Sequence, residues 1–282
     1  MTLTLAYSPC PNDTFIFDAM VHGRIDTEGL RFEEYLGDVE ELNREAMESH
    51  YDITKLSYHA LGYLTDRYQL LHSGSALGRG VGPLLISRGP MSPEQIATAS
   101  IAVPGRYTTA AFLLSLAYPG ATDWREYLFS DIEDAVLSGE VDAGLLIHEN
   151  RFTYAERGLH CLRDLGDYWE QATGQPIPLG GIVVRRDLPD ATKQRIDRVL
   201  ARSVAYAFEH PEHSLPYVKE HAQAMDATVM QQHIALYVNE FTQGLGEEGR
   251  SAVHHLLTMA ADKGIIPEVT RPLLVPGGES AG

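Results

Sequence analysis

One residue suited to acid–base chemistry stands just past an apolar segment. His148 follows the run Ala143–Ile147, which reads as a strand, and is followed by Glu149. Polar residues at the carboxyl ends of strands often form the sites of α/β folds. An imidazole of ordinary pKa, ~6.5, accepts protons near neutral pH. The alternative is a structural histidine at a strand end, and a chain with twelve histidines leaves both interpretations open.

A second segment offers a cation and a hydroxyl. In Asp52–Ser57, Lys55 and Ser57 flank Leu56 and therefore share one face of a predicted strand. Lys55 is a candidate partner for an anion, and Ser57 is a candidate ligand for a hydroxyl group or a helix cap. The structural alternatives are an exposed lysine and a routine N-cap.

The turn Ser8–Phe17 is stiffened by two prolines and joins a strand-like run to a helix-like run. Asn12, Asp13 and Thr14 are good N-cap residues, so we expect the helix to begin there. Its first N–H groups would suit an anionic or hydroxyl-rich ligand. Cys10 precedes that helix start, where the pKa of a thiol can fall, but packing between the prolines is the simpler role.

A third strand-to-helix connection, Ile101–Ala111, places Thr108 and Thr109 at a helix start. N–H groups at such a start can bind a carboxylate or a hydroxyl. A threonine N-cap worth ~1 kcal/mol is the structural alternative, and the two roles are compatible.

The segment Gly74–Gly82 is rich in glycine but lacks both nucleotide-binding patterns. It has no Gly-Lys-Ser/Thr ending, and it does not open a helix after a strand. Close approach of its backbone to a ligand or to a second lobe is one interpretation, with Arg79 as a carboxylate clamp. A flexible surface loop is the other.

Composition narrows the class of protein. The 282 residues carry a net charge of −17, which argues against nucleic acid or an anionic membrane as a partner. No apolar run approaches the roughly 18 residues of a membrane span, and no secretion signal is visible. We therefore expect a cytoplasmic protein, with its oligomeric state open and a homodimer as one option.

Cysteines and histidines do not form a recognisable metal site. Cys10 and Cys161 give neither a disulfide framework nor a zinc pattern. His210 and His213 are three residues apart, but no carboxylate pattern completes a site around them. We predict that the protein binds no metal.

Strand-like and helix-like runs alternate through the first two-thirds of the chain, which predicts an α/β fold. Two similar runs, Gly82–Arg88 and Gly180–Arg186, predict crossing strands around an inserted lobe, although coincidence is the alternative. We assign residues 1–90 and 180–282 to one lobe and residues 91–179 to the other. The later part turns largely helical, and the tail from Pro267 is rich in Pro and Gly.

Several of these segments together resemble the 1,4-dihydroxy-6-naphthoate synthase family of the futalosine route to menaquinone. The most specific motifs are Ser-Pro-Cys-Pro-Asn-Asp-Thr-Phe, which begins at Ser8, and Ile-His-Glu-x-Arg-Phe-Thr-Tyr, which begins at Ile147. The resemblance runs from about Leu3 to Leu274. It implies a two-lobed fold like the type II periplasmic binding proteins, with mixed sheets and the active site in a cleft between the lobes.

The resemblance also implies an activity and a set of site residues. The family converts cyclic dehypoxanthine futalosine to 1,4-dihydroxy-6-naphthoate and releases dihydroxyacetone. His148 would be the proton acceptor, while Lys55 to Ser57, Thr108 and Thr109 would contact the substrate, an aromatic carboxylate. Asn12, Asp13 and Arg79 are our additions to the substrate-binding set. Because aromatisation drives the reaction, we expect no cofactor.

Three rival functions remain. The first is a solute receptor of the same fold, which would return its small carboxylate ligand unchanged. The second is the related chorismate dehydratase, whose pattern fits the segment around His148 less well. The third is a ligand-sensing regulator, against which the acidic charge and the lack of a basic helix argue.

Overall fold

The computed structural model describes residues 1–222 and 226–277 and divides the chain into two compact units. The first unit contains Met1–Leu77 and Pro178–Gly282, and the second contains Gly78–Ile177. The second unit thus begins at Gly78 rather than at residue 91, because the strand Leu84–Ser87 pairs within its sheet. The end of the predicted tail, residues 278–282, lies outside the described residues.

Strands of the described chain form one sheet in each unit. The first sheet has the order β2-β1-β3-β11-β4, with β5 paired to β11, and the second has the order β10-β6-β9-β7-β8. Both sheets are mixed. The strands are β1 (Thr2–Tyr7), β2 (Arg31–Leu36), β3 (Ile53–Ser57), β4 (Tyr68–Leu70), β5 (Ala76–Gly78), β6 (Leu84–Ser87), β7 (Ile101–Val103), β8 (Trp124–Glu126), β9 (Ala143–Leu146), β10 (His160–Asp164) and β11 (Ile177–Arg185).

Helices cover the sheets, and the C-terminal helices belong to the first unit. Two short 3₁₀ helices, Phe129–Asp131 and His148–Phe152, occur in the second. The α-helices are α1 (Pro11–Val21), α2 (Val39–Met47), α3 (Tyr58–Leu64), α4 (Pro93–Thr98), α5 (Thr109–Ala117), α6 (Ile132–Ser138), α7 (Leu165–Thr173), α8 (Asp190–Glu209), α9 (Pro211–His221), α10 (Ala227–Tyr237), α11 (Glu240–Gln243) and α12 (Gly246–Asp262).

Each unit has its own apolar core. In the first unit the central strands meet α1 and α8 through side chains such as Leu5, Phe17 and Val199. In the second unit β6, β7 and β9 meet α6 through Ile86, Ala102 and Val136. These cores hold fixed the strand ends from which the candidate site residues project. None of the described helices is long and apolar enough to cross a bilayer.

Helix α1 begins earlier than the cap pattern predicted. Its N-cap is Cys10, Pro11 is its first residue, and Cys10 makes no side-chain cap. Asn12, Asp13 and Thr14 therefore lie inside the first turn and do not cap it. Proline suits this position because its missing N–H would be unpaired there anyway. Cys10 is buried, in agreement with a packing role.

Two glycines, Gly82 and Gly181, leave room for close packing against their neighbours. A Cβ on Gly82 would lie 2.2 Å from the backbone of Gly166, so this end of the glycine-rich segment packs against α7 of the same unit. A Cβ on Gly181 would lie 2.9 Å from the hydroxyl of Tyr58. The glycines that head the two similar runs therefore serve packing within each sheet and its helices.

Candidate active site

The first unit contains a buried polar cluster around Asp13, which comprises Ser8, Asn12, Asp13, Lys55 and His233. Lys55 Nζ lies 2.6 Å from Asp13 Oδ1, and the two residues are 7% and 1% exposed. Ser8 Oγ donates to Asp13 Oδ2 at 2.7 Å, and Asn12 Nδ2 donates to Asp13 Oδ1 at 2.8 Å. The pairing offsets the charge that we expected Lys55 to offer an anionic ligand. Asp13 is also the acidic residue in the first turn of α1, where the helix dipole favours a negative charge.

His233 on α10 extends this cluster. Its Nε2 lies 2.9 Å from Asn12 Oδ1, and the side chain is fully buried. Since an amide oxygen only accepts hydrogen bonds, His233 Nε2 must be the donor. The amide of Asn12 is thereby oriented from both ends. Nothing in the sequence near His233 distinguished it from the other histidines.

Ser57 is held by a residue that the sequence reasoning missed. Asn43 on α2 accepts from Ser57 N at 3.0 Å and donates to Ser57 Oγ at 3.2 Å. Ser57 occupies the N-cap position of α3, as predicted, but its side chain makes no cap hydrogen bond. Leu56 lies between these polar neighbours in the strand, where it is buried and pairs with Gly181.

The strand β11 leaves room for Lys55. A Cβ on Gly180 would lie 2.8 Å from Leu56 O and 3.1 Å from Lys55 Cε. The absence of a side chain at Gly180 therefore lets the Lys55 stem lie against the neighbouring strand.

His148 in the second unit has an unusual backbone. It has φ +59°, in the left-handed region, and it begins the 3₁₀ helix that follows β9. Its ring packs edge-on against Phe129 with ring centroids 4.7 Å apart. Left-handed non-glycine residues cost free energy and are concentrated at functional sites. The strain favours the functional interpretation of His148 over a routine strand-end histidine.

Two residues that follow His148 in the 3₁₀ helix, Glu149 and Arg151, have ionisable side chains that are mostly shielded from solvent. Burial raises the pKa of the Glu149 carboxyl above its ordinary value. Arg151 Nη2 lies 3.5 Å from Asp164 Oδ2, at the junction of β10 and α7. Asp164 Oδ1 also accepts from Gly166 N at 2.8 Å and so caps α7. Burial likewise raises the pKa of Asp164.

Thr108 is the N-cap of α5. Its Oγ1 accepts from Ala111 N at 3.2 Å and donates to Gly105 O at 2.7 Å, and both Thr108 and Thr109 are buried. The structural role that the sequence allowed is therefore present. Contact of either threonine with substrate stays a prediction.

Arg79 is half-exposed and contacts α7. Its Nη2 donates to Gly174 O at 3.2 Å, and its Nη1 lies 4.0 Å from Glu170. These contacts already anchor its guanidinium to a helix of the same unit, so a role as a carboxylate clamp stays a prediction.

Two other features lie apart from the predicted residues. A pocket of about 380 Å³ in the first unit contains His72, whose Nδ1 lies 2.9 Å from Asp197 Oδ2. On α9 and just before it, His210, Glu212 and His213 have potential metal ligands within 4.8 Å of one another. Glu212 supplies the carboxylate that our sequence argument against a metal overlooked, but exposed groups of this kind are common without a metal.

Within the first unit the structure thus brings together Asn12, Asp13 and Lys55, with Ser57 two residues further along β3. In the second unit it places His148 beside Glu149 and one turn before Arg151. Of these, Arg151 was not among the predicted site residues, although it belongs to the motif that begins at Ile147.

Known proteins resemble this chain over nearly its whole length. A family profile described as "Menaquinone biosynthesis" matches residues 3–262. The relative from Thermus thermophilus, named 1,4-dihydroxy-6-naphthoate synthase, is 49% identical and is aligned over 97% of this chain and 99% of its own. One of the same name from Streptomyces coelicolor is 46% identical over 94% and 95%.

Solved structures give the fold. A crystal structure of a protein from Archaeoglobus fulgidus matches with a TM-score of 0.89 and 38% identity, over 94% of this chain and 98% of its own. The alkanesulfonate-binding protein of Xanthomonas axonopodis pv. citri matches with a TM-score of 0.70 over 97% and 96%, but at 13% identity it supports the fold alone. The fold is that of the periplasmic binding proteins, as the resemblance implied. The profile and the two curated relatives show that the chain belongs to the 1,4-dihydroxy-6-naphthoate synthase family of menaquinone biosynthesis.

Proposed function

We propose that this protein converts cyclic dehypoxanthine futalosine to 1,4-dihydroxy-6-naphthoate and dihydroxyacetone, with His148 as the general base. The observation that carries the proposal is 49% identity across 97% of the chain to a relative that is named for this product. Solved structures of the same fold include proteins named as binding proteins, so the fold adds nothing to the choice of reaction.

The proposed reaction requires one general base positioned to remove a proton from the substrate. His148 accepts a proton from the substrate, and the electron pair that this releases breaks the carbon–carbon bond to the three-carbon fragment. The bicyclic ring becomes aromatic, and a proton returns to the departing dihydroxyacetone. The two products together retain all atoms of the substrate, so the reaction needs neither an oxidant nor a reductant.

Ser57 and Asn12 of the first unit are the polar groups that we assign to the sugar-derived part of the substrate. Ser57, held by Asn43, and Asn12, held by His233, present hydroxyl and amide groups whose orientations are set before binding. Groups that need no reorientation lose little entropy when the substrate binds. Asp13 orients Lys55 and Asn12 without itself reaching solvent.

Analysis of products by mass spectrometry tests the proposal. Purified protein is incubated with the cyclic substrate, with chorismate, or with neither. We expect 1,4-dihydroxy-6-naphthoate and dihydroxyacetone in equal amounts from the first sample only. Loss of water from chorismate would identify the dehydratase instead, and recovery of both compounds unchanged would indicate a receptor.

A further inference from the structure

The guanidinium of Arg151 is largely shielded from solvent and only partly paired among the described residues. The side chain is 12% exposed, and its one ion pair among the described residues is with Asp164, at 3.5 Å. Its Nη1 is shielded from solvent and has no acceptor within the described parts of the chain. A buried donor without a partner is costly, and such groups in native proteins call for an explanation such as a bound ligand.

Asp164 does not satisfy this arginine. Asp164 Oδ1 accepts hydrogen bonds from Gly166 N and Asp167 N at the start of α7. The contact through Oδ2 is long and single, whereas an arginine–carboxylate pair can be short and bidentate. Arg151 is therefore anchored on one side and retains its capacity for a second anion on the other.

Other candidate cations are already committed. Lys55 lies 2.6 Å from Asp13 in the first unit, and Arg79 is half-exposed and contacts α7. The net charge of −17 means that an anionic substrate needs a local cation to oppose the general field. Arg151 is largely shielded from solvent, lies three residues after His148 in the same 3₁₀ helix and has an Nη1 donor that no described acceptor pairs.

We propose that Arg151 binds the carboxylate of the aromatic substrate through its unused Nη1 side. The inference rests on the proposed function, since it supplies the anion-binding residue for that substrate. A planar guanidinium matches a planar carboxylate and fixes its orientation, which a lysine cannot do. Arg151 would thus set the position of the ring relative to the rest of the site and would select acids over neutral analogues.

Binding of the product and of its neutral analogue tests this assignment. The probes are 1,4-dihydroxy-6-naphthoate and the matching 6-carboxamide, and the readout is Kd by calorimetry. Arg151→Gln should bind the acid about 100-fold more weakly, because a buried charge loses its partner, and the amide within about threefold of wild type. Arg163→Gln is the matched control, since Arg163 is exposed and its guanidinium lies 5.0 Å from the Tyr168 ring.

A second variant distinguishes the loss of the carboxylate contact from a general loss of structure. Arg151→Lys keeps the positive charge but loses the planar guanidinium with its paired donors. We expect this variant to have the melting temperature of wild type and a smaller ratio of the amide Kd to the acid Kd. Equal selectivity for acid over amide in wild type and in both variants would overturn the assignment of Arg151.

The outcome for the proposed function is read separately, from turnover of the cyclic substrate by wild type. Turnover by wild type with no change in selectivity at Arg151→Gln overturns the arginine assignment alone. Selective binding of the acid that depends on Arg151, without turnover, overturns the proposed reaction and supports the carboxylate site.

Discussion

The buried cluster around Asp13 and the 3₁₀ helix at His148 differ in backbone strain and in how their polar groups are paired. In the cluster, Lys55 and Asp13 are paired and the amide of Asn12 is fixed from both ends. In the helix, His148 has a left-handed backbone and Arg151 has a buried donor that no described acceptor satisfies. Both carboxylate oxygens of Asp13 have partners in the first region, whereas the second region combines backbone strain at His148 with an Arg151 nitrogen that no described acceptor pairs.

This difference indicates a division of labour. A satisfied network keeps its geometry without a ligand and therefore suits the positioning of a substrate. Backbone strain and unpaired polar groups persist at sites where ligand binding or catalysis uses them. The cluster of the first unit is thus suited to holding polar groups in fixed orientations, and the 3₁₀ helix of the second unit is suited to proton transfer and to the recognition of charge.

The largest expected effect is on the satisfied region. Asp13→Ala leaves the Lys55 ammonium buried without its partner and should lower the free energy of unfolding by about 3–5 kcal/mol. Denaturant titration measures this. The double variant Asp13→Leu/Lys55→Met removes both charges and should recover most of the loss. A single variant as stable as wild type would show that the cluster is not a relaxed ion pair.

A smaller effect is expected from packing around Lys55. Gly180→Ala places a Cβ 2.8 Å from Leu56 O and should cost about 1–3 kcal/mol of stability. Gly89→Ala is the control, because a Cβ there meets nothing within 4 Å and should change stability by less than ~0.5 kcal/mol. Equal costs in thermal melts would contradict the tight packing of β11 on β3.

Substitution in the strained region, at His148, should not lower the stability of the protein. His148→Gly removes the left-handed penalty, so we expect a protein that is as stable as wild type or up to about 1 kcal/mol more stable, but inactive. His160→Gly, in strand β10, should instead lose about 0.5–1 kcal/mol. If His148→Gly were the less stable of the two, strain at His148 would be refuted.

The smallest effect concerns Glu149 and has a defined sign. Burial raises the pKa of Glu149 above 4.5 in the folded state, so its stabilising contribution is complete below about pH 4.5 and is lost as pH rises through the folded pKa. Glu149→Gln should therefore gain stability relative to wild type between pH 4 and pH 8. Glu94, whose pKa is lowered chiefly by Ser92, should give a difference of opposite sign on substitution. A pH-independent difference for Glu149→Gln would rule out a destabilising buried carboxylate.

Local patterns predicted the elements well where a single segment decides the outcome. Lys55 and Ser57 lie on one strand, and Thr108 and Thr109 lie at a helix start, as the sequence predicted. The start of α1 was predicted too late, because the good cap residues Asn12 and Asp13 are used in side-chain contacts inside the turn.

Long-range pairing could not be predicted from the same patterns. Lys55 meets Asp13 across 42 residues, and His233 meets Asn12 across 221. An apolar strand such as Leu84–Ser87 does not show which sheet it joins, so the first boundary between the units was misplaced. The left-handed backbone of His148 and the half-used guanidinium of Arg151 are properties of the folded chain, and no residue pattern announces them.

The rate of a single turnover tests the central claim most directly. His148→Asn is the variant of choice, since Asn tolerates a left-handed backbone and cannot accept the proton. At saturating cyclic substrate, it should form naphthoate about 100- to 10,000-fold more slowly than wild type with a nearly unchanged Kd. Formation of product by His148→Asn at the wild-type rate would contradict the assignment of proton transfer to His148.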